Sequence, residues 1–153
     1  MDRYDLTVDI ERDAASVWDF VTDLGRTPLW RTTICTIEPP DELRIGAPFA
    51  GTTRLLGRTW NWQLEITNVE PPRHFAYTVT RGVAAPTVEY LVEPRESGTR
   101  FTMSGHIDQM SPIARVLKPL ALPALRRETR VHLANLMSLL EESPGATDPT
   151  QNV

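Results

Sequence analysis

The sequence predicts an α+β fold: one antiparallel sheet of seven strands followed by a long C-terminal helix. Three observations carry this. Between residues 4 and 107, apolar and polar residues alternate in short runs separated by Gly, Pro and charged turns, which is strand periodicity. From Ser111 the period changes, and Leu122, Leu125, Thr129, Leu133, Leu136 and Leu140 recur at three and four residues, the spacing of an amphipathic helix. The connections between successive strands are too short for parallel crossovers, so neighbours run antiparallel, as in a meander.

Each element has its own local reason. Tyr4, Leu6, Val8 and Ile10 alternate with Asp5, Thr7 and Asp9, giving a first strand with one buried face. Asp13 then caps a short helix with Val17, Trp18, Phe20 and Val21 as its apolar stripe. Gly25 and Pro28 break the helical pattern, and Leu29 and Trp30 lead into a second strand spanning Arg31 to Glu38, closed by Pro39 and Pro40. A third strand runs from Gly46 to Leu56 and turns at Gly57 into the long fourth, Arg58 to Val69, in which Trp60, Trp62, Leu64 and Ile66 share one parity. Pro71 and Pro72 have no amide hydrogen for a ladder, so they mark a corner, and Phe75, Tyr77 and Val79 form the apolar face of the strand that leaves it. Val88, Tyr90 and Val92 define a sixth strand, and Phe101, Met103, Gly105 and Ile107 one face of a seventh. Ser111 and Pro112 suit the N-cap and first turn of the long helix. Pro119 and Pro123 should bend or split it.

A chain of 153 residues, 41% hydrophobic and 24% charged, suits one globular domain, here residues 1–143, with 144–153 as a disordered tail. The net charge of −4 argues against a nucleic-acid surface, and the cluster Arg126, Arg127 and Arg130 reads as a solvated helix face. No run reaches the roughly 20 apolar residues of a membrane span, and the start MDRYDLTVDIERD lacks a signal-peptide core, so a cytoplasmic setting is the expectation. The single Cys35 reads as a small buried strand residue. Three dispersed histidines, His74, His106 and His132, give no zinc pattern, and neither a phosphate-binding glycine loop nor a nucleophile elbow is present. No cofactor is implied.

The segments SVWDFVTD (16 to 23), Pro28 to Trp30, the opening at Gly46 and VEPPRHFAY (69 to 77), in this order of elements, resemble the START and Bet v 1-like (SRPBCC) superfamily, in particular its polyketide cyclase/dehydrase branch. The resemblance covers about residues 3 to 142. It implies the helix-grip fold, in which a curved sheet wraps the last helix around an internal cavity that takes hydrophobic small molecules. Members of the family include aromatases and cyclases of polyketides, lipid carriers and hormone receptors, so fold alone does not fix the activity.

With the apolar strand faces turned inward, Trp62, Leu64, Tyr77, Tyr90, Phe101 and Met103 should line the cavity, with Trp30 at its mouth. At about 100° per residue Leu125, His132 and Leu136 fall on adjoining parts of one helix face. His132 is then the inward-facing histidine, either a satisfied core side chain or a group that touches ligand; His74 and His106 are expected outside. Trp62 reads equally as core or as a ligand platform. Two functions follow. The first is a binding protein for a polyketide-like or lipid-like molecule, in a biosynthetic or self-protection role, as a monomer or weak homodimer. The alternative is a cyclase, aromatase or dehydratase acting on a poly-β-ketone by positioning plus proton transfer, with His132 as the first candidate for the proton and Tyr77 or Tyr90 for the donor to the enolate oxygen. A macromolecular adaptor is the least favoured reading, since no large exposed apolar or basic patch can be read from the sequence.

Overall fold

The structure is a computed structural model that describes residues 2–55, 57–82, 84–110 and 112–142, without the side chains of residues 2, 55, 84, 108–110, 113, 114, 117, 118, 121, 122, 125 and 142. The expected N-cap Ser111 and the expected tail 144–153 lie outside the described residues.

Strand β1 (Asp2–Ile10) is followed by helix α1 (Ala14–Thr22), a 3-10 turn, and the four-residue helix α2 (Thr27–Trp30). Six strands then run in succession: β2 (Ile34–Glu38), β3 (Pro48–Leu55), β4 (Arg58–Glu70), β5 (His74–Arg81), β6 (Ala84–Arg95) and β7 (Gly98–Met110). Helix α3 (Pro112–Glu142) closes the chain. The sheet order is β1-β7-β6-β5-β4-β3-β2, antiparallel at every pairing. This is the helix-grip arrangement, a curved seven-stranded sheet around one long helix. One point of the expected topology needs correcting. The meander comprises β2 to β7, whereas β1 sits beside β7 at the far edge, because α1 and α2 carry the chain across the sheet between β1 and β2.

Local chemistry accounts for the element ends. The Asp13 carboxylate accepts a hydrogen bond from the Ser16 amide at 3.1 Å, the expected N-cap. Pro71 and Pro72, joined by a cis bond, lie exposed in the turn between β4 and β5, where the Arg73 amide donates to the Glu70 carbonyl at 2.8 Å. Register shifts at Gln63/Leu64 and at Ile66/Asn68 place bulges in β4, and bulges bend a strand, so β4 curves where the sheet must wrap.

Two sequence expectations change here. Cys35 is exposed rather than buried. A register shift between Ile34 and Thr36 breaks strict alternation in β2, turning Ile34 and Ile37 inward and Cys35 outward. Helix α3 is also one continuous helix through Pro119 and Pro123, not two pieces. Both prolines are exposed, so their rings clash with no neighbouring element.

The core joins the inner sheet face to α1, α2 and the C-terminal half of α3. Val17, Val21, Trp30, Ile66, Phe75, Phe101 and Leu136 are completely buried, with Trp18, Met103, Leu133 and Leu140 around them. Trp30 contacts the rings of Tyr90 and Phe101 at centroid separations of 5.7 and 6.1 Å, in tilted and edge-on geometries that suit aromatic quadrupoles.

Candidate functional site

The inner face of the sheet has two ends with different contents. At one end Ile10, Ile66, Phe75, Val92 and Phe101 are covered by helices. Toward the other, the same strands diverge from α3 and enclose a cavity of about 230 Å³. Its walls come from Tyr4 of β1, Phe49 and Gly51 of β3, Trp62 and Leu64 of β4, Tyr77 and Val79 of β5, Pro86, Val88 and Tyr90 of β6, and Gly105 to Ile107 of β7. Ile34 and Ile37 of β2, Leu24 and Thr27, and Glu128 of α3 complete it.

Four expected site residues are therefore on the wall: Trp62, Leu64, Tyr77 and Tyr90. The others are not. Phe101, Met103 and Leu136 share the expected inward face but sit in the packed end, each at most 1% exposed. Parity says which face a residue takes, not how far along the strand it lies. Trp30 is fully buried instead of standing at the mouth, because α2 presses it into the aromatic cluster. His132 is buried one turn beyond the cavity-lining Glu128, its Nε2 3.8 Å from the Glu128 carboxylate. The side chain of Leu125 lies outside the described residues. His106, expected outside, is partly buried on the cavity wall. His74, also expected outside, is only 21% exposed beside Glu70 and Glu89.

The residue that sequence reasoning missed is Arg31. It had been placed in the second strand, where an arginine is normally turned to solvent. Instead it follows α2 as the C-cap, with φ −97° and ψ 82°, and its amide donates to the Thr27 carbonyl at 2.9 Å. This non-strand geometry aims the guanidinium into the cavity. Its Nη1 donates to the Tyr77 hydroxyl and, at 3.3 Å, to the Tyr90 hydroxyl. The available signal was position: a charge directly after a helix-breaking Pro28-Leu29-Trp30 segment, before an apolar strand. Tyr4 was visible as part of the first strand's apolar face, yet its distance along the sheet was not.

The electrostatics follow from burial. Desolvation opposes the charge on Arg31, and the surrounding tyrosine oxygens of Tyr77, Tyr90 and Tyr4 outweigh it, so the guanidinium is held protonated. Burial pushes the Tyr90 hydroxyl well above the usual tyrosine range, with Tyr77 beside it adding to the rise and Arg31 opposing it. Tyr4 moves in the same direction, again chiefly by burial. Burial first, and the Arg31 charge second, lower His132 to about 4. The 3.8 Å contact with Glu128 would favour a charged imidazole, but it exceeds hydrogen-bond length and both opposing effects are larger, so His132 is neutral at pH 7.

Wall residues also hold one another in place. Trp62 Nε1 donates to Thr53 Oγ1 at 2.7 Å, fixing the indole against the adjacent strand. Phe49 and Tyr77 meet edge-on at 5.5 Å. Among the described residues, no group of three His, Cys, Asp or Glu side chains could hold a metal, and no helix is long and apolar enough to cross a membrane. The arrangement can thus enclose an apolar body while offering N–H donors to an oxygen at one place on its wall.

A comparison with curated proteins found no match. Solved structures match over nearly the whole chain. A protein of Thermus thermophilus, TTHA0849, is 14% identical with a TM-score of 0.76, covering 90% of this chain and 95% of its own. The Zhui aromatase/cyclase of a Streptomyces species is 12% identical with a TM-score of 0.74, covering 97% of both chains. The di-domain ARO/CYC StfQ of the steffimycin biosynthetic pathway is 12% identical with a TM-score of 0.75, and the match covers 94% of this chain and 52% of that one. At such identities these structures establish the fold. The sequence itself matches the model of polyketide cyclase/dehydrase and lipid transport proteins over residues 1–141, and the chain belongs to that family.

Proposed function

We propose that this protein binds a hydrophobic or aromatic small molecule, polyketide-like or lipid-like, in the cavity between the sheet and α3. The observation that carries the reading is the cavity of about 230 Å³ with aromatic and aliphatic walls and a cluster of polar groups, Arg31 with Tyr77 and Tyr90. Small-molecule sites take this form: apolar area supplies affinity, and a few polar groups fix orientation. The names of the structural neighbours, two of which are aromatase/cyclases, point to the same class of ligand.

The enzyme reading keeps one specific support. Cyclising a poly-β-ketone requires that a proton leave carbon while an enolate oxygen is stabilised. Arg31 offers donors for the oxygen, and Glu128, also on the wall, offers a carboxylate for the proton. His132, the earlier candidate for proton transfer, is neutral and set back from the wall.

The test is an amide chemical-shift titration of the labelled protein with an aromatic polycycle, a linear poly-β-ketone mimic, a fatty acid and a sterol. Saturable shifts at Trp62, Tyr77 and Val88, with the compound recovered intact, are expected of a binding protein. New product signals from the ketone mimic would instead make it a cyclase, and spectra unchanged by the whole panel would overturn a small-molecule role.

A further inference from the structure

The cavity holds a permanent positive charge with no ion-pair partner among the described residues. Arg31 lines the wall, and a guanidinium stays protonated in any protein environment. Among the described residues no carboxylate lies within ion-pair distance of it; the carboxylate of Glu128, the acidic residue on the same wall, lies 3.8 Å from the neutral ring of His132. Arg31 Nε is buried and makes no hydrogen bond among the described residues. The hydroxyls of Tyr77 and Tyr90 satisfy Nη1 only, and near pH 7 they are dipoles, not counter-ions. His132, set behind the wall, is neutral and adds no charge to it.

Arg31 is half-buried with its Nε fully enclosed, and charged groups taken out of water are normally paired, so the guanidinium is a place for a partner from outside the chain. The partner here must be an anion. A planar fork of donors favours a flat oxygen anion, which can take two parallel hydrogen bonds. The walls demand that the rest of the ligand be apolar, and their aromatic rings suit a ring system. Size sets the other limit. A volume of 230 Å³ lies below the roughly 300–1,000 Å³ of most ligand pockets, which favours a compact body over a sterol or a four-ring polyketide. A second anionic group would meet the Glu128 carboxylate.

Resting on the binding reading above, we propose that the ligand is a compact aromatic monoacid: an apolar body of one or two rings bearing one ionised oxygen group that pairs with the Arg31 guanidinium beside Tyr77 and Tyr90. Two sources of that group, a carboxylate and an acidic enol, share this chemistry and are separated by the probes.

The experiment is calorimetric titration of the full chain at pH 7 with 2-naphthoate, its neutral isostere 2-naphthamide, and the acidic enol 4-hydroxycoumarin. A charge-assisted pair contributes about 1.5–3 kcal/mol, so at least one of the two anions should bind about tenfold or more tightly than the amide. Whichever anion wins names the headgroup. The Arg31 Nε–H resonance should shift with that anion and stay in place with the amide, and Arg31→Gln should erase the preference for the anion over the amide. The comparison of anion with amide on the unaltered protein decides the matter even if that variant does not fold. Equal affinity for all three probes would overturn the anionic headgroup and leave the binding reading standing. Binding of the fatty acid or sterol alone would overturn the compact aromatic acid. Silence from these probes and from the earlier panel would overturn both.

Discussion

At the scale of single residues, His132 links the site to stability. Its imidazole is 4% exposed, and its pKa falls from 6.5 to about 4 on folding, through burial first and the Arg31 charge second. The sign follows from proton counting. Between these two values the unfolded chain takes up a proton that the folded chain refuses, so stability is complete above about pH 6.5 and is lost as the pH falls toward 4. The full shift corresponds to at most about 3 kcal/mol. Urea unfolding midpoints should therefore drop between pH 7 and pH 4.5, and His132→Asn, whatever its absolute stability, should lose that slope. Carboxylates cannot mimic this. Asp5, held low by the Ser104 hydroxyl and Arg3, and Asp13, held low by Ser16, lose their contribution below the carboxylate range, at more acid pH. An unchanged slope in His132→Asn would mean that the imidazole is solvated in the native state.

At the scale of elements, the sequence was legible wherever one periodicity ran unbroken and illegible where a bulge or a junction intervened. Alternation placed Trp62, Leu64, Tyr77 and Tyr90 on the inner face correctly, because burial in β4 still alternates from Trp60 to Ile66 across the register shift at Gln63/Leu64, and Val88, Tyr90 and Val92 keep the same repeat in β6. It failed at Cys35, where the β2 bulge shifts the phase, and at Arg31, where a helix end was read as a strand start. No pattern of residue types reports the distance along a strand at which sheet and helix part, so Phe101 and Met103 could not be told from Gly105 and Ile107. Gly105 itself marks a close approach. It pairs opposite Tyr4, and a Cβ placed on it would lie 2.6 Å from the tyrosine ring. Gly105→Ala should thus push the ring off its seat and destabilise the protein by about 1–3 kcal/mol, the usual cost of overpacking. Tyr4→Ala alone also costs stability, but adding it to Gly105→Ala should cost much less than the sum, giving a coupling that chemical denaturation of the four proteins would measure. Additive losses would show that the ring and the strand are not in contact.

At the scale of the whole molecule, the two halves of α3 differ in the contacts their described residues make. Every buried side chain described on α3, Thr129, His132, Leu133, Leu136 and Leu140, lies beyond Glu128. The same half is tied to the rest of the chain by polar contacts: Arg12 donates to the Leu140 carbonyl at 2.9 Å, the Glu11 amide to the Glu141 carboxylate at 3.0 Å, and Asn135 to the Trp30 carbonyl at 3.2 Å. In the first half, Val116 and Leu120 are 78% and 76% exposed, and Pro119 and Pro123 leave the carbonyls of Arg115 and Pro119 without their helical donors. Local stability follows local contacts, so α3 should open from its N-terminal end while its C-terminal half unfolds only with the core. Glu128 of α3 lines the cavity, and the helical bonds lost at Pro119 and Pro123 precede it, so opening of the first half of α3 should admit a ligand. Native-state hydrogen exchange should show amides of residues 115–126 exchanging at least about tenfold faster than those of 132–140, a gap of ~1.4 kcal/mol or more in opening free energy. A saturating ligand found by the titrations above should slow the first set more than the second, because it binds the closed form and not the opened one. Uniform exchange along α3, or ligand protection confined to residues 132–140, would place the ligand's entry elsewhere, at the β2–β3 edge where Ile34 and Ile37 face the cavity.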